Sequence, residues 1–160
     1  MITKLVLDID GVLTTGHLIY SKEGKIYKVF GPHDSDGLKI IKNYIKDIQF
    51  ITADKVGWDI TYARIVTDWK FSSEQLHLVP EGHRMEWFMD NCNLDETAFI
   101  GDGYHDAPIL EKVKIGIAPS SARKEAKQAA KFITESAAGS GAVLDACLYL
   151  KDVIIINEHK

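Results

Sequence analysis

The sequence predicts an α/β fold, a doubly wound Rossmann-like parallel sheet with a β-hairpin inserted after its first strand. Short apolar runs alternate with amphipathic segments, the pattern of helices crossing over parallel strands. Three of those runs stop at acids or a hydroxyl, at Asp8, Thr52 and Asp102, as expected where strands open onto a functional edge. One stretch, residues 17 to 30 ("HLIYSKEGKIYKVF"), breaks the alternation and reads as two strands around the turn Lys22-Glu23-Gly24.

The expected strands are Lys4 to Asp8, Gln49 to Thr52, Gln75 to Leu78, Thr97 to Ile100, Ile115 to Ile117 and a short one at Phe132 to Ile133. The expected helices are Ser35 to Ile45, Val56 to Asp68, Arg84 to Asn91, Ala107 to Val113, Ala122 to Ala130 and Ala142 to Leu150. In the first helix Leu38, Ile41 and Ile45 recur at spacings of three and four, a buried stripe. Asp34 and Ser35 supply N-cap chemistry ahead of it. The glycine-rich "SAAGSGAV", residues 136 to 143, reads locally as a helix-entry loop. The tail "KDVIIINEHK", about 151 to 160, is apolar enough to dock as a strand or to serve as an association segment.

At 160 residues the chain is expected to form one domain with a proper core. Its apolar fraction of 46% and charged fraction of 26% fit a soluble globule, and a net charge of -4 with no basic stripe argues against a nucleic-acid partner. Arg123, Lys124, Lys127 and Lys131 have helical spacing and read as a solvated face. Cys92 and Cys147 match neither a metal site nor a disulfide framework. No signal-peptide pattern or membrane-length apolar run is present, so a cytoplasmic location and no membrane partner are expected.

The run "LVLDIDGVLTTG", residues 5 to 16, holds two aspartates spaced two apart, which on an extended chain share one face. Two adjacent carboxylates are costly unless a cation neutralises them or they share a proton. By itself the pair also suits a capping turn. "FITADK" and "FIGDGYHD", however, bring Thr52, Asp102 and Asp106 to the same sheet edge. Hard oxygen ligands of this kind suit magnesium, and the chemistry they assemble is phosphoryl transfer. A receiver domain also gathers acids at strand ends, but it does not need a DxDG turn followed by a hairpin, and Asp102 and Asp106 come late for one.

The DxDG run at Asp8 to Gly11, Thr52 at a strand end, and Gly101-Asp102-Gly103-Tyr104-His105-Asp106 resemble motifs one, two and four of the haloacid dehalogenase-like phosphatases. "DIDGVLTTGHLIY", "EGKIYKVFGPHDSDGLKII" and "GSGAV" are similar to the small branch without a cap domain. That branch contains the phosphatases of 3-deoxy-D-manno-octulosonate 8-phosphate and of nine-carbon sialic-acid-type sugar phosphates. The resemblance implies a Mg2+-dependent sugar-phosphate phosphatase of surface-carbohydrate biosynthesis. In it Asp8 is the nucleophile that forms an aspartyl-phosphate, and Asp10 is the acid and base whose carbonyl also meets the metal. Thr52 binds a phosphoryl oxygen, Asp102 ligates the metal, Asp106 supports it, and amides including that of Gly11 cradle the phosphate. It further implies a homotetramer in which a neighbour's hairpin caps the active site and "GSGAV" lies near another subunit's substrate.

Two departures stand out. The family's third motif is a lysine, and residues 79 to 88 ("VPEGHRMEWF") contain none; Arg84 is its expected substitute, with Lys70 a weaker candidate. A catalytically silent relative acting as a binding or scaffold subunit is the alternative this raises. In "TAD", Ala53 and Asp54 replace the usual pair, and both are assigned to substrate binding. The Asp54 carboxylate would repel the acid end of a ketosugar acid but could accept hydrogen bonds from sugar hydroxyls or pair with an amine, favouring a nine-carbon sugar acid or a neutral heptose phosphate over the octulosonate. Arg64, on the following helix, either meets substrate or holds a neighbouring helix. His33, His83 and His105 show no metal spacing, and His105 stands where the motif commonly has asparagine.

Overall fold

The computed structural model describes residues 1 to 158. Its central strand, β1 (Lys4–Asp8), is buried along nearly its whole length, as an apolar run flanked by parallel neighbours requires. It pairs with β4 (Asp47–Thr52) on one side and β6 (Thr97–Ile100) on the other. With β5 (Leu76–Leu78), β7 (Ile115–Ala118) and β8 (Phe132–Ile133) they form a six-stranded, wholly parallel sheet in the order β5-β4-β1-β6-β7-β8. The chain winds outward from β1 in both directions, so a switch in winding falls beside β1, where such sheets open a crevice.

Strand alternation sorts the core onto two faces. Leu5, Leu7, Ile48, Phe50 and Ile100 pack under α1 (Asp34–Ile41) and α6 (Ala142–Glu158), together with Leu38, Ile41, Ala146 and Leu150. Val6, Ile51 and Phe99 face the other way, against Phe88 of α3 (Arg84–Asn91), Ile109 and Leu110 of α4 (Ala107–Lys112), and Ala126 of α5 (Lys124–Ala129). Asp8 follows Val6 by two residues and so emerges on the α3 side, which matters for its partner.

Three expectations are corrected. The strand ends at Asp8 and the chain turns at once, the amides of Val12, Leu13 and Thr14 all donating to the Ile9 carbonyl. Asp8 and Asp10 therefore do not share an extended face. The segment expected as one helix over 56 to 68 is α2 (Trp58–Tyr62) followed by a π-helical stretch, Ala63–Asp68. The tail is no strand: α6 continues past Leu150 to Glu158, while residues 159 and 160 lie outside the described part. Among the described residues no helix is long and apolar enough to cross a membrane.

The insertion is a two-stranded antiparallel sheet, β2 (Thr14–Ser21) and β3 (Gly24–Phe30). Its outer half carries half-exposed Leu18, Tyr20, Ile26 and Tyr27. Its base is pinned where Gly31 meets the Gly139 carbonyl, a contact with no room for a Cβ. The "GSGAV" loop thus packs beside its own hairpin's base, just ahead of α6.

The α1 start also differs from expectation. His33 occupies the N-cap in the left-handed region, without a side-chain cap bond, and Asp34 lies inside the helix, fully buried. Neither Asp34 oxygen has a hydrogen-bond partner. Burial lifts this carboxyl to about 7, opposed by the nearby Val143 and Leu144 amides and by Arg64, and reinforced by Asp145. A raised acid favours the fold while protonated: its contribution is complete below about pH 4, where the unfolded chain's carboxyl is protonated too, and is lost as pH rises through about 7. The melting midpoint of Asp34→Asn should therefore gain on that of the native chain between pH 4 and pH 8, and a pH-independent difference in thermal denaturation would contradict the assignment.

Candidate active site

At the carboxyl edge of the sheet lies a cleft of about 540 Å3, lined by Asp8, Asp10, Arg84, Asp102 and Asp106 at its floor and by Lys25, Asp54, Glu81, Tyr104 and His105 nearer its rim. Asp8 ends β1 and is almost completely buried. Arg84, the first residue of α3, grips it with both arms: Nη1 donates to Asp8 Oδ2 at 2.9 Å and Nη2 to Asp8 Oδ1 at 3.0 Å. The same Nη1 also donates to Asp106 Oδ1. Burial opposes the charge on Arg84, but Asp8 and Asp106 more than offset it, so this side chain is a permanent cation. Arg84, expected from the sequence as the substitute for a lysine, is a buried cation in contact with Asp8 and Asp106. Lys70 caps the Thr67 carbonyl instead.

Asp106, in the turn Tyr104–Asp106, accepts the Asp102 amide at 3.0 Å and the Gly103 amide at 2.9 Å, and so fixes the loop after β6. One carboxylate oxygen from each of Asp8, Asp102 and Asp106 lies within 4.8 Å of the others. Burial, against the pull of Arg84, pushes the Asp8 carboxyl well above the usual range. Burial and Asp106 push Asp102 to about 7. The three acids hold more negative charge than one arginine balances, and their donors are all hard oxygens. That set fits a divalent cation of the magnesium class.

Asp10 departs from this cluster. Its Oδ2 accepts the Thr52 hydroxyl at 2.9 Å, and its Oδ1 lies 2.9 Å from Lys28 Nζ. The adjacent pair in the sequence is thus split between two cations, Asp8 to Arg84 and Asp10 to Lys28. Thr52, fully buried at the end of β4, spends its hydroxyl proton on Asp10, while that oxygen accepts the Asp54 amide at 3.1 Å. Gly11 adopts φ +83°, and its amide, expected to face phosphate, donates to Thr14 Oγ1 at 3.2 Å. Ala53 lines the cleft between these groups.

Asp54 is no bare carboxylate. Lys25 and Lys28, both from the hairpin, lie 2.5 and 3.0 Å from its Oδ2, and the Gly57 amide donates to Oδ1 at 3.0 Å. Burial works against its charge, but these three donors hold its carboxyl at about 2. Arg64 makes no contact with the cleft. It pairs with Asp68 within its own segment and stacks on Trp69, 4.7 Å from the ring centre, so these contacts do not hold a neighbouring helix. His105 is half-exposed on the rim, 3.6 Å from Glu81.

Sequence reasoning missed Lys25 and Lys28. A signal was present: Lys28 alternates with Ile26 and Phe30 on one hairpin face, where an otherwise apolar face holds one cation.

The doubly wound parallel sheet brings buried acids and one buried guanidinium together at its strand ends. The family model described as haloacid dehalogenase-like hydrolase matches residues 88–146. The chain is 27% identical over 165 residues to the 3-deoxy-D-manno-octulosonate 8-phosphate phosphatases KdsC of Salmonella typhi and of Escherichia coli K12, covering 99% of this chain and 82% of each relative. Among solved structures, a haloacid dehalogenase superfamily hydrolase from Legionella pneumophila superposes with a TM-score of 0.77 at 27% identity, covering 99% of this chain and 85% of that one. A probable YrbI family phosphatase from Pseudomonas syringae does so at 0.78 and 25%, covering 96% and 86%. The chain is thus similar to haloacid dehalogenase-like hydrolases over residues 88–146 and, along nearly its whole length, to phosphatases of this kind.

Gly11 tests the packing of this edge. Its φ disfavours any side chain, and a methyl there would overlap Asp102 Oδ2. Gly11→Ala is expected to cost about 1–2 kcal/mol of stability and to weaken magnesium binding in calorimetry by displacing Asp102. Unchanged affinity would remove Asp102 from the metal-ligand set.

Proposed function

We propose that this phosphatase is a magnesium-dependent phosphomonoesterase for a sugar phosphate, an eight- or nine-carbon sugar acid phosphate or a related sugar such as a heptose phosphate, working through an aspartyl-phosphate. The observation that carries the reading is the Arg84 fork on Asp8 beside the three-acid cluster. In this reading Asp8 Oδ attacks phosphorus as the bond to the leaving sugar oxygen breaks, and Asp10 donates the proton that oxygen needs. Asp10 then takes a proton from water, whose oxygen attacks the acyl phosphate, releasing inorganic phosphate and restoring Asp8. Arg84 balances charge on the nucleophile and on the transferred group. Asp8, Asp102, Asp106 and the Asp10 carbonyl would hold magnesium, which supplies Lewis-acid neutralisation of the phosphoryl oxygens.

The paired state of Asp54 changes the substrate argument. Lys25 and Lys28 cancel the repulsion a free carboxylate would exert, so a sugar acid is no longer disfavoured, and the octulosonate phosphatases among the relatives support that class. Arg84 also weakens the silent-subunit alternative, whose basis was a missing cation. The half-exposed apolar groups of β2 and β3 support a homotetramer in which hairpins associate and a neighbour covers the cleft, because a lone two-stranded sheet cannot bury them.

Steady-state hydrolysis of octulosonate 8-phosphate, nonulosonate 9-phosphates, heptose phosphates and hexose phosphates, with magnesium and with a chelator, tests the reading. One sugar acid phosphate should dominate, with activity lost on chelation; a flat, metal-independent profile would sink it. Asp8→Asn should fold normally and lose at least about 10³-fold in kcat, and Arg84→Ala about 10²-fold. Retained turnover by Asp8→Asn would transfer the nucleophile's role elsewhere.

Light scattering should give four copies, and replacing Tyr20 and Tyr27 together by Glu should yield smaller species. A native chain that runs as a monomer would discard the tetramer.

A further inference from the structure

Lys28 is buried in the middle of a hairpin strand, and nothing in the nucleophile's chemistry calls for it. Its side chain is inaccessible to solvent, although a residue on a protruding hairpin has water within easy reach. Removing an ammonium from water costs several kcal/mol unless charged partners surround it. Lys28 has two of them and a hydroxyl, from three separate parts of the chain. Nζ lies 2.9 and 3.2 Å from the two oxygens of Asp10, 3.0 Å from Asp54 Oδ2 beyond β4, and 2.8 Å from Thr61 Oγ1 in α2. Asp54 is anchored in turn by Lys25 and the Gly57 amide, so Lys28 rests against fixed groups.

We propose that Lys28 is a positioning residue for Asp10, orienting its carboxyl group for proton transfer to the leaving oxygen. This rests on the acid role given to Asp10 above. The Asp10 side chain is 28% exposed and sits in a turn rather than in a strand, so the backbone alone does not fix its carboxylate plane. Two clamps do: Thr52 Oγ1 from the β4 side and Lys28 Nζ from the hairpin side. Proton transfer needs heavy atoms within hydrogen-bond reach and correctly aimed, and a loosely held acid loses much of that advantage. Because Lys28 belongs to β3, the placement of the hairpin and the aim of the acid are one arrangement.

A leaving-group comparison separates positioning from mere structural support. A 4-nitrophenolate leaves without a proton, whereas an alkoxide of a sugar does not, and kcat/KM reports the step that forms the aspartyl-phosphate. The two probes are 4-nitrophenyl phosphate and the preferred sugar phosphate from the panel above. Asp10→Asn, measured first, should lose far more on the sugar phosphate than on the aryl ester. Lys28→Met should lose in the same direction, about 10-fold more on the sugar phosphate than on the aryl ester. Equal losses on both esters by Lys28→Met, with Asp10→Asn still discriminating, would overturn the positioning role while leaving the reading of Asp10 intact. Equal losses by Asp10→Asn would remove the acid role itself and the proposal with it. If Lys28→Met does not fold, as judged by circular dichroism, Lys28→Gln is measured in its place against the same two outcomes.

Discussion

Charge balance at the carboxyl edge of the sheet governs this structure. Five carboxylates, those of Asp8, Asp10, Asp54, Asp102 and Asp106, meet three cations, Arg84, Lys25 and Lys28. Carboxylates buried without compensation either take up protons or destabilise the fold, and the raised Asp8 and Asp102 carboxyls register that deficit. The cations are not distributed evenly. Arg84 serves the α3 side, where Asp8 and Asp106 lie, and the two lysines serve the hairpin side, where Asp10 and Asp54 lie. Asp102, between them, has neither. The unbalanced charge therefore falls at the three-acid cluster, where a divalent ion would both close the deficit and meet oxygen donors.

That distribution explains why the hairpin belongs to the site rather than decorating it. A two-stranded sheet is weak by itself. Here it is tied at its base by the Gly31 and Gly139 contact and along one face by ion pairs from Lys25 and Lys28 to acids on the sheet. The polar attachments of Lys25 and Lys28 are buried, whereas Leu18, Tyr20, Ile26 and Tyr27 stay in contact with solvent. The leftover apolar surface is at the outer half.

The fold was largely legible in the sequence, because its signals are local: apolar runs of strand length, helical stripes such as Leu38 and Ile41, and a hairpin turn. The misreadings have physical reasons. The i, i+2 spacing of Asp8 and Asp10 suggests a shared face only if the strand continues, and Gly11 lets the chain turn before it does. Asp34 looked like a cap because capping residues are common at helix starts, but a left-handed His33 took that place. Asp54 looked like an open carboxylate because its partners lie 29 and 26 positions away, across a hairpin whose docking no local pattern encodes. Arg84 was found by its place at a helix start, whereas its contact with Asp8 depends on which face each strand residue takes.

Arginine in place of lysine also shapes what this edge can do. A lysine would present one compact charge to Asp8, free to swing toward an incoming phosphate. The guanidinium is a planar fork, and here it holds both Asp8 oxygens while touching Asp106, so it orients the Asp8 carboxylate as well as neutralising it. Such a grip has an opposing consequence, since an Asp8 oxygen engaged by Arg84 is less available for attack than one facing a mobile ammonium. Entry of an anionic phosphate gives the guanidinium a competing acceptor. In the proposed reaction the bidentate pair would open on one side, leaving one oxygen oriented and releasing the other toward phosphorus.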